Sequence, residues 1–162
     1  MMKLHEIKEL NGTYAGYRFS TNTKNSLYDF INKYKIPNKI DKNELHTTLL
    51  YSTKNLPNYK AAGKLESPYI GIPKKFFIWD TKNDDGDTKL VLVLTFKCPE
   101  LVARHKELMK KYNAKFDFSE YKPHVTLSYD VGKDFDITKL DIKDFPDLEL
   151  ETEYGEDLNL NY

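Results

Sequence analysis

Two stretches, "HTTLLY" at 46–51 and "HVTLSY" at 124–129, place a histidine two residues before a threonine. In an extended chain alternate side chains share a face. His46 and Thr48 would then point one way and Thr47, Leu49 and Tyr51 the other, with His124, Thr126 and Ser128 set likewise against Val125, Leu127 and Tyr129. Each segment offers an apolar face for a core and a His-x-Thr pair on its reverse. An imidazole with an ordinary pKa of about 6.5 takes or gives a proton near neutral pH. A threonine hydroxyl donates a hydrogen bond to a developing oxyanion. Two of each suit cleavage of a phosphodiester: a base for the attacking oxygen, an acid for the leaving oxygen, and hydroxyls for the non-bridging oxygens. General acid or base catalysis typically contributes ~10²–10⁴ in rate. A lone strand histidine is more often structural, and a metal pair would need further ligands. No cysteine or carboxylate stands at ligand spacing beside either motif, so no metal or other cofactor is expected.

The elements that must position these groups are legible around them. An extended segment at 13–19 precedes a helix over 23–35, where Leu27, Phe30, Ile31 and Tyr34 recur at the spacing of one helical face. Pro37 bars its continuation, and a short loop leads to the strand of His46. Later, "TKLVLVLTFK" (88–97) reads as a strand, Pro99 opens a second helix over 99–112, and the strand of His124 follows. Sliding the first half forward by 78 residues sets His46 on His124, Thr48 on Thr126, Leu49 on Leu127 and Tyr51 on Tyr129. The same shift sets Phe30 on Leu108, Ile31 on Met109, Lys33 on Lys111 and Tyr34 on Tyr112. The shared order of elements, with the motifs in register, marks an internal duplication. Between the halves, residues 71–90 read as a hairpin turning through Asp84, Asp85 and Gly86. The acidic, partly alternating tail is expected to close a sheet edge or fold over a cleft.

Composition narrows the function. With 162 residues, 40% apolar and 14% aromatic, the chain can build one domain's core. Its 25 basic and 25 acidic side chains cancel, which argues against binding long nucleic acid by charge. A small anionic ligand in a local pocket is compatible with that balance. The single cysteine, Cys98, excludes an internal disulfide framework and a cysteine-rich zinc site, and fits a reducing cytoplasm. No leader-like apolar run or membrane-length segment is present, so a soluble, intracellular protein without a membrane partner is expected.

The two motifs, "HTTLLY" and "HVTLSY", resemble the twin His-x-Thr motifs of the 2H phosphoesterase superfamily, over roughly residues 12–130. That resemblance implies an α+β fold: two pseudo-symmetric lobes, each an antiparallel sheet with a helix, around a central cleft. The lobes would cover about 12–60 and 88–130 of a single domain 1–162, with 131–162 as a closing tail. It also implies metal-independent chemistry on nucleotide phosphodiesters. The contexts "LHTTLLYS" and "YKPHVTLSYD", with "IPN" ahead of the first motif, are similar to the phage anti-CBASS phosphodiesterases. These degrade the cyclic di- and trinucleotides that bacteria make as an antiviral alarm. By that resemblance His46, Thr48, His124 and Thr126 are the catalytic set, the substrate's own 2′-OH attacks, and the enzyme works in the cytoplasm of an infected host; a monomer is expected. The alternatives are a cellular 2H phosphoesterase acting on 2′,3′-cyclic phosphate or 2′–5′ linked RNA, and a non-catalytic sponge.

Four further residues are candidates for binding the substrate. Tyr14 and Trp79 offer faces for nucleobases, Glu156 an acceptor for a base edge, and Tyr162 an aromatic lid. Core or sheet-face roles compete for both aromatics. His5 and His105 lack motif context and are expected to be solvated, as are the Lys74–Lys75 and Lys110–Lys111 pairs. "NDDGD" lacks the closing glutamate of a calcium loop and reads as a turn.

Overall fold

The structure is a computed structural model, and it describes residues 11–82, 86–114 and 120–159. His5, Asp84, Asp85 and Tyr162 lie outside the described residues. Among the described residues, six strands and two α-helices follow in the order β1 (Asn11–Phe19), α1 (Thr21–Lys33), β2 (His46–Ser52), β3 (Gly63–Lys82), β4 (Thr88–Lys97), α2 (Pro99–Tyr112), β5 (His124–Ser128) and β6 (Leu148–Asn159). Helix α1 starts where the Ser20 hydroxyl accepts the Thr23 amide at 3.2 Å. It ends ahead of Pro37, with Lys35 at a positive φ of 49°. Pro99 opens α2, where its missing N–H costs no helical bond, and left-handed Asn113 caps its end.

The strands run in the order β2-β1-β6-β3-β4-β5, every neighbour antiparallel. This order reads the same from either edge in terms of the repeat. The motif strands β2 and β5 are outermost, their partners β1 and β4 come next, and β6 and β3 meet in the middle. The α+β fold of two similar halves is thus built on one sheet. The 20-residue β3 joins the halves, pairing with β6 over Gly63–Gly71 and with β4 over Ile72–Lys82. The hairpin from β3 to β4 pairs Lys82 with Thr88. The tail does not close an edge: β6 pairs with β1 on one side and β3 on the other. Its alternation of Leu148 and Leu150 with polar residues suits a strand with one apolar face, and the middle of the sheet is where two flanking strands lacked a partner.

Both helices pack on one face of the sheet. Leu27, Phe30 and Ile31 of α1 and Leu101 and Leu108 of α2 join Ala15, Tyr17, Phe19, Leu92, Leu94, Phe96, Val125 and Leu127 in the core. Burying a Leu or Ile side chain contributes roughly 1.5–3 kcal/mol, so these two stripes hold the helices down. A buried carboxylate sits within this face. Glu153 is 1% exposed and accepts from Arg104 Nε and Nη2 at 2.8 and 2.9 Å, Tyr17 at 2.8 Å, Tyr59 at 2.9 Å and the Ala62 amide at 2.8 Å. These five donors tie β1, β6, α2 and the loop after β2 together.

His105, expected in solvent, is buried at 6% exposure in the other half's wall. Its Nδ1–H donates to the Leu49 carbonyl at 2.8 Å and its ring stacks on Tyr121, centroids 4.0 Å apart. It lies in the helical row of Leu101 and Leu108, which turns it inward. Burial pushes its pKa down, which keeps it neutral.

Candidate active site

The face opposite the helices carries the motifs. Residues directly opposite in antiparallel strands share a face, so strand pairing reads out the site as four short rows. In the first half, His46–Arg18–Thr152 runs across β2, β1 and β6, and Thr48–Gly16–Tyr154 lies beside it. In the second, His124–Thr95–Lys75 runs across β5, β4 and β3, beside Thr126–Val93–Phe77. The duplication therefore extends beyond the motifs. Each half holds a row of histidine, cation and threonine, and a row of threonine, small residue and aromatic ring.

Each motif strand carries a bulge at the same place. Ala15 and Gly16 face Leu50 and Thr48, leaving Leu49 as the extra residue; Leu92 and Val93 face Ser128 and Thr126, leaving Leu127. An extra residue reverses the alternation beyond it. Ser128, expected beside His124, is consequently buried and donates to the Pro37 carbonyl. Tyr51, expected in the core, shares the motif face through its pairing with Tyr14, and Tyr129 is 55% exposed. A two-residue period cannot reveal the bulge, because the extra residue is defined by the partner strand.

Both imidazoles are held in the same way. His46 Nδ1 lies 2.6 Å from the Glu44 carbonyl and His124 Nδ1 lies 2.9 Å from the Lys122 carbonyl, each acceptor two residues before its histidine. A carbonyl only accepts, so each Nδ1 carries the proton and each Nε2 is the working atom. Burial lowers the pKa of His124, outweighing its bond to Lys122, and positive charge on His46 lowers it further. Trp79 packs edge-on against His124 at 4.6 Å between centroids. Tyr14 is edge-on to His46 at 6.1 Å, and its hydroxyl lies 3.0 Å from Thr48 Oγ1. Burial pushes the Tyr14 pKa up despite that bond, so its hydroxyl stays neutral.

The motif strands also brace one another. Thr47 Oγ1 donates to the His124 carbonyl at 2.6 Å, and Tyr121 OH donates to the Thr48 carbonyl at 2.6 Å. The Ile40 amide bonds the Leu127 carbonyl at 3.1 Å. The half-sheets thus meet at their outer strands as well as in the middle, which brings His46 and His124 within electrostatic reach. Gly16 lets the floor pack closely. A Cβ there would stand 3.0 Å from the Thr47 carbonyl oxygen and the Tyr154 hydroxyl and 3.1 Å from the Tyr14 hydroxyl. A glycine inside "TYAGYRF" was a sequence signal of such close approach.

Of the residues expected in the site, His46, Thr48, His124, Thr126, Tyr14, Trp79 and Glu156 all lie on this face, Glu156 by pairing with Tyr14. Arg18, Tyr154, Phe77 and Gly16 were not singled out from sequence, and neither was the brace formed by Thr47 and Tyr121; Lys75, read only as a solvated lysine, is exposed but stands in the row of His124. Among the described residues no group of three or more His, Cys, Asp or Glu side chains is placed to hold a metal ion, and no helix is long and apolar enough to cross a membrane.

The family model for the anti-CBASS protein Acb1 matches residues 11–162. The Acb1 protein of Salmonella phage S16 is 33% identical over 132 residues, 82% of this chain and 80% of its own. That of Acinetobacter phage Ac42 is 32% identical over 164 residues, 99% of each chain. Among solved structures, E. coli LigT complexed with 3′-AMP matches at a TM-score of 0.47 and 14% identity, covering 91% of this chain and 83% of LigT. With the family model spanning everything from β1 to the C-terminus, and relatives above 30% identity aligned over most of both chains, this chain belongs to the anti-CBASS protein Acb1 family.

Proposed function

We propose that this protein is a metal-independent phosphodiesterase that opens the 3′–5′ bonds of cyclic di- or trinucleotide immune messengers in the cytoplasm of an infected bacterium. The observation that carries the reading is the pair of equivalent imidazoles on one face, each with Nδ1 anchored to a carbonyl and Nε2 left for chemistry. Burial and the neighbouring charge favour the neutral form of His124, which makes it the base, with His46 as the acid. His124 Nε2 takes the proton of the substrate's 2′-OH as that oxygen bonds to the adjacent phosphorus. The bond from phosphorus to the 5′ oxygen breaks, and His46 gives that oxygen its proton. The ring opens to a 2′,3′-cyclic phosphate, which water hydrolyses with the two histidines in reversed roles. Thr48 and Thr126, each two residues beyond a histidine, donate to the non-bridging oxygens. Tyr14, Trp79 and Glu156 bind the nucleosides. One chain carries both motifs, so a monomer suffices.

The test is incubation of wild type and His124→Ala with 3′,3′-cyclic GMP–AMP in excess EDTA, read by mass spectrometry. Linear product from wild type alone is expected. An untouched ring with wild type would overturn the reading and redirect attention to 2′,3′-cyclic phosphates and 2′–5′ bonds. Binding without cleavage by both proteins would instead identify a sponge.

A further inference from the structure

Beside each motif stands a cation over an aromatic ring. Arg18 Cζ lies 4.3 Å from the ring centroid of Tyr154, and Lys75 Nζ lies 5.0 Å from that of Phe77. The two pairs are 136 and two residues apart in sequence, yet the strand pairing puts them in equivalent rows. Arg18 shares a row with His46 and Lys75 with His124, while Tyr154 and Phe77 share the rows of Thr48 and Thr126. Within the histidine rows, cation and threonine exchange strands: Arg18 is on β1 with Thr152 on β6, and Thr95 is on β4 with Lys75 on β3. Each half thereby keeps one cation on the motif face. Both cations are exposed, and Phe77 is 37% exposed, an apolar ring left uncovered beside the site. None of the four side chains belongs to the core that holds the fold.

We infer that Arg18–Tyr154 and Lys75–Phe77 are paired phosphate-recognition arms that select a substrate carrying more than one phosphodiester. The inference deepens the proposed function and rests on it. An aromatic face attracts the cationic head and keeps it over the sheet instead of extended into solvent, so the charge is in place before the ligand arrives. A 2′,3′-cyclic mononucleotide has one negative charge, which the paired imidazoles and threonines between the arms already serve. A cyclic dinucleotide brings a second phosphate, and its own near-twofold symmetry matches two equivalent arms. In a chain of zero formal net charge, such local cations supply the attraction that the whole molecule lacks.

The test measures kcat and KM of wild type, Arg18→Gln, Lys75→Gln and the double variant on 3′,3′-cyclic GMP–AMP and on 2′,3′-cyclic AMP, at low and moderate salt. Each single change is expected to raise KM for the cyclic dinucleotide about two- to fivefold, the size of one exposed charge contact. The effect should fall in KM more than in kcat, multiply in the double variant and shrink with salt. For 2′,3′-cyclic AMP the KM should change less than twofold. Tyr154→Leu and Phe77→Leu, which leave the cations but remove their seats, should reproduce part of the loss. Wild type that cleaves the dinucleotide, with variants matching it in KM, overturns this inference alone. Equal losses on both substrates also overturn it, since the arms would then not distinguish phosphate number. Wild type that leaves the ring intact overturns the proposed function and this inference with it.

Discussion

Glu153→Gln should be among the most damaging conservative substitutions in the protein, although Glu153 is not on the motif face. Its carboxylate is enclosed and takes five donors: two from Arg104, one each from Tyr17 and Tyr59, and the Ala62 amide. A glutamine in that space has one acceptor oxygen, and its NH₂ would face groups that only donate or are already donating. Arg104, whose side chain is 17% exposed, would lose its buried counter-charge and keep only the exposed Glu107 carboxylate at 2.7 Å. Breaking one partner of a buried pair costs roughly 3–5 kcal/mol. For a domain of this size 1 kcal/mol moves Tm by about 2–4 °C, so the expected drop is roughly 6–20 °C in thermal unfolding at pH 7. The pH dependence supplies a second check. Burial opposes the Glu153 charge, but Arg104, the Ala62 amide and the two phenols together outweigh it and hold the carboxyl below its ordinary 4.5. Because the folded-state pKa is depressed, the stabilisation is fully present above the unfolded-state value. It is lost as pH falls through the folded-state value. The gap between wild type and Glu153→Gln should therefore be constant from pH 7 to about 5 and narrow in stronger acid. A Tm difference under 2 °C at pH 7, or a gap that does not narrow in acid, would refute the reasoning.

Three other outcomes are expected. The His124 Cε1–H resonance should titrate with a midpoint below the usual 6.5, and the midpoint should rise in His46→Ala because the charge that depresses it is removed; an unchanged or lower midpoint would contradict that coupling. Tyr121→Phe, which removes the hydroxyl bonded to the Thr48 carbonyl, should cost about 1 kcal/mol in denaturant unfolding and lower kcat by a larger factor than KM changes. A stability loss with unaltered kinetics would make the brace structural only. Gly16→Ala should leave far-UV circular dichroism intact but lower turnover about tenfold or more, since its Cβ displaces the Tyr14 and Tyr154 hydroxyls or the Thr47 carbonyl; wild-type kcat/KM would show that the floor yields without consequence.

Much of the architecture was local enough to read from the chain. The periodicity of Leu27, Phe30 and Ile31, the proline at 99 and the run 88–97 are each satisfied by near neighbours, and they became α1, the start of α2 and β4. The shift that aligns His46 with His124 also aligns Glu44 with Lys122, whose carbonyls hold the two rings. The duplicated motif carried its own support because that support comes from two residues upstream.

What depended on the partner strand was not legible. The bulges at Leu49 and Leu127 exist only relative to β1 and β4, and they exchange the faces of Ser128 and the two motif tyrosines. The acidic tail became the sixth strand in the middle of the sheet because two half-sheets each lacked a neighbour there. Arg18 met Tyr154 through strand pairing that spans most of the chain, and Glu153 met Arg104 through the packing of α2 on the sheet. The sequence by itself determined which residues could do acid–base chemistry and that they come in two equivalent sets. Only the tertiary structure decided that the sets share one face, at what reach, and beside which charges. Side-chain alternation and helical period are set by the backbone geometry of a few residues, whereas strand order and register are chosen by burial over the whole chain.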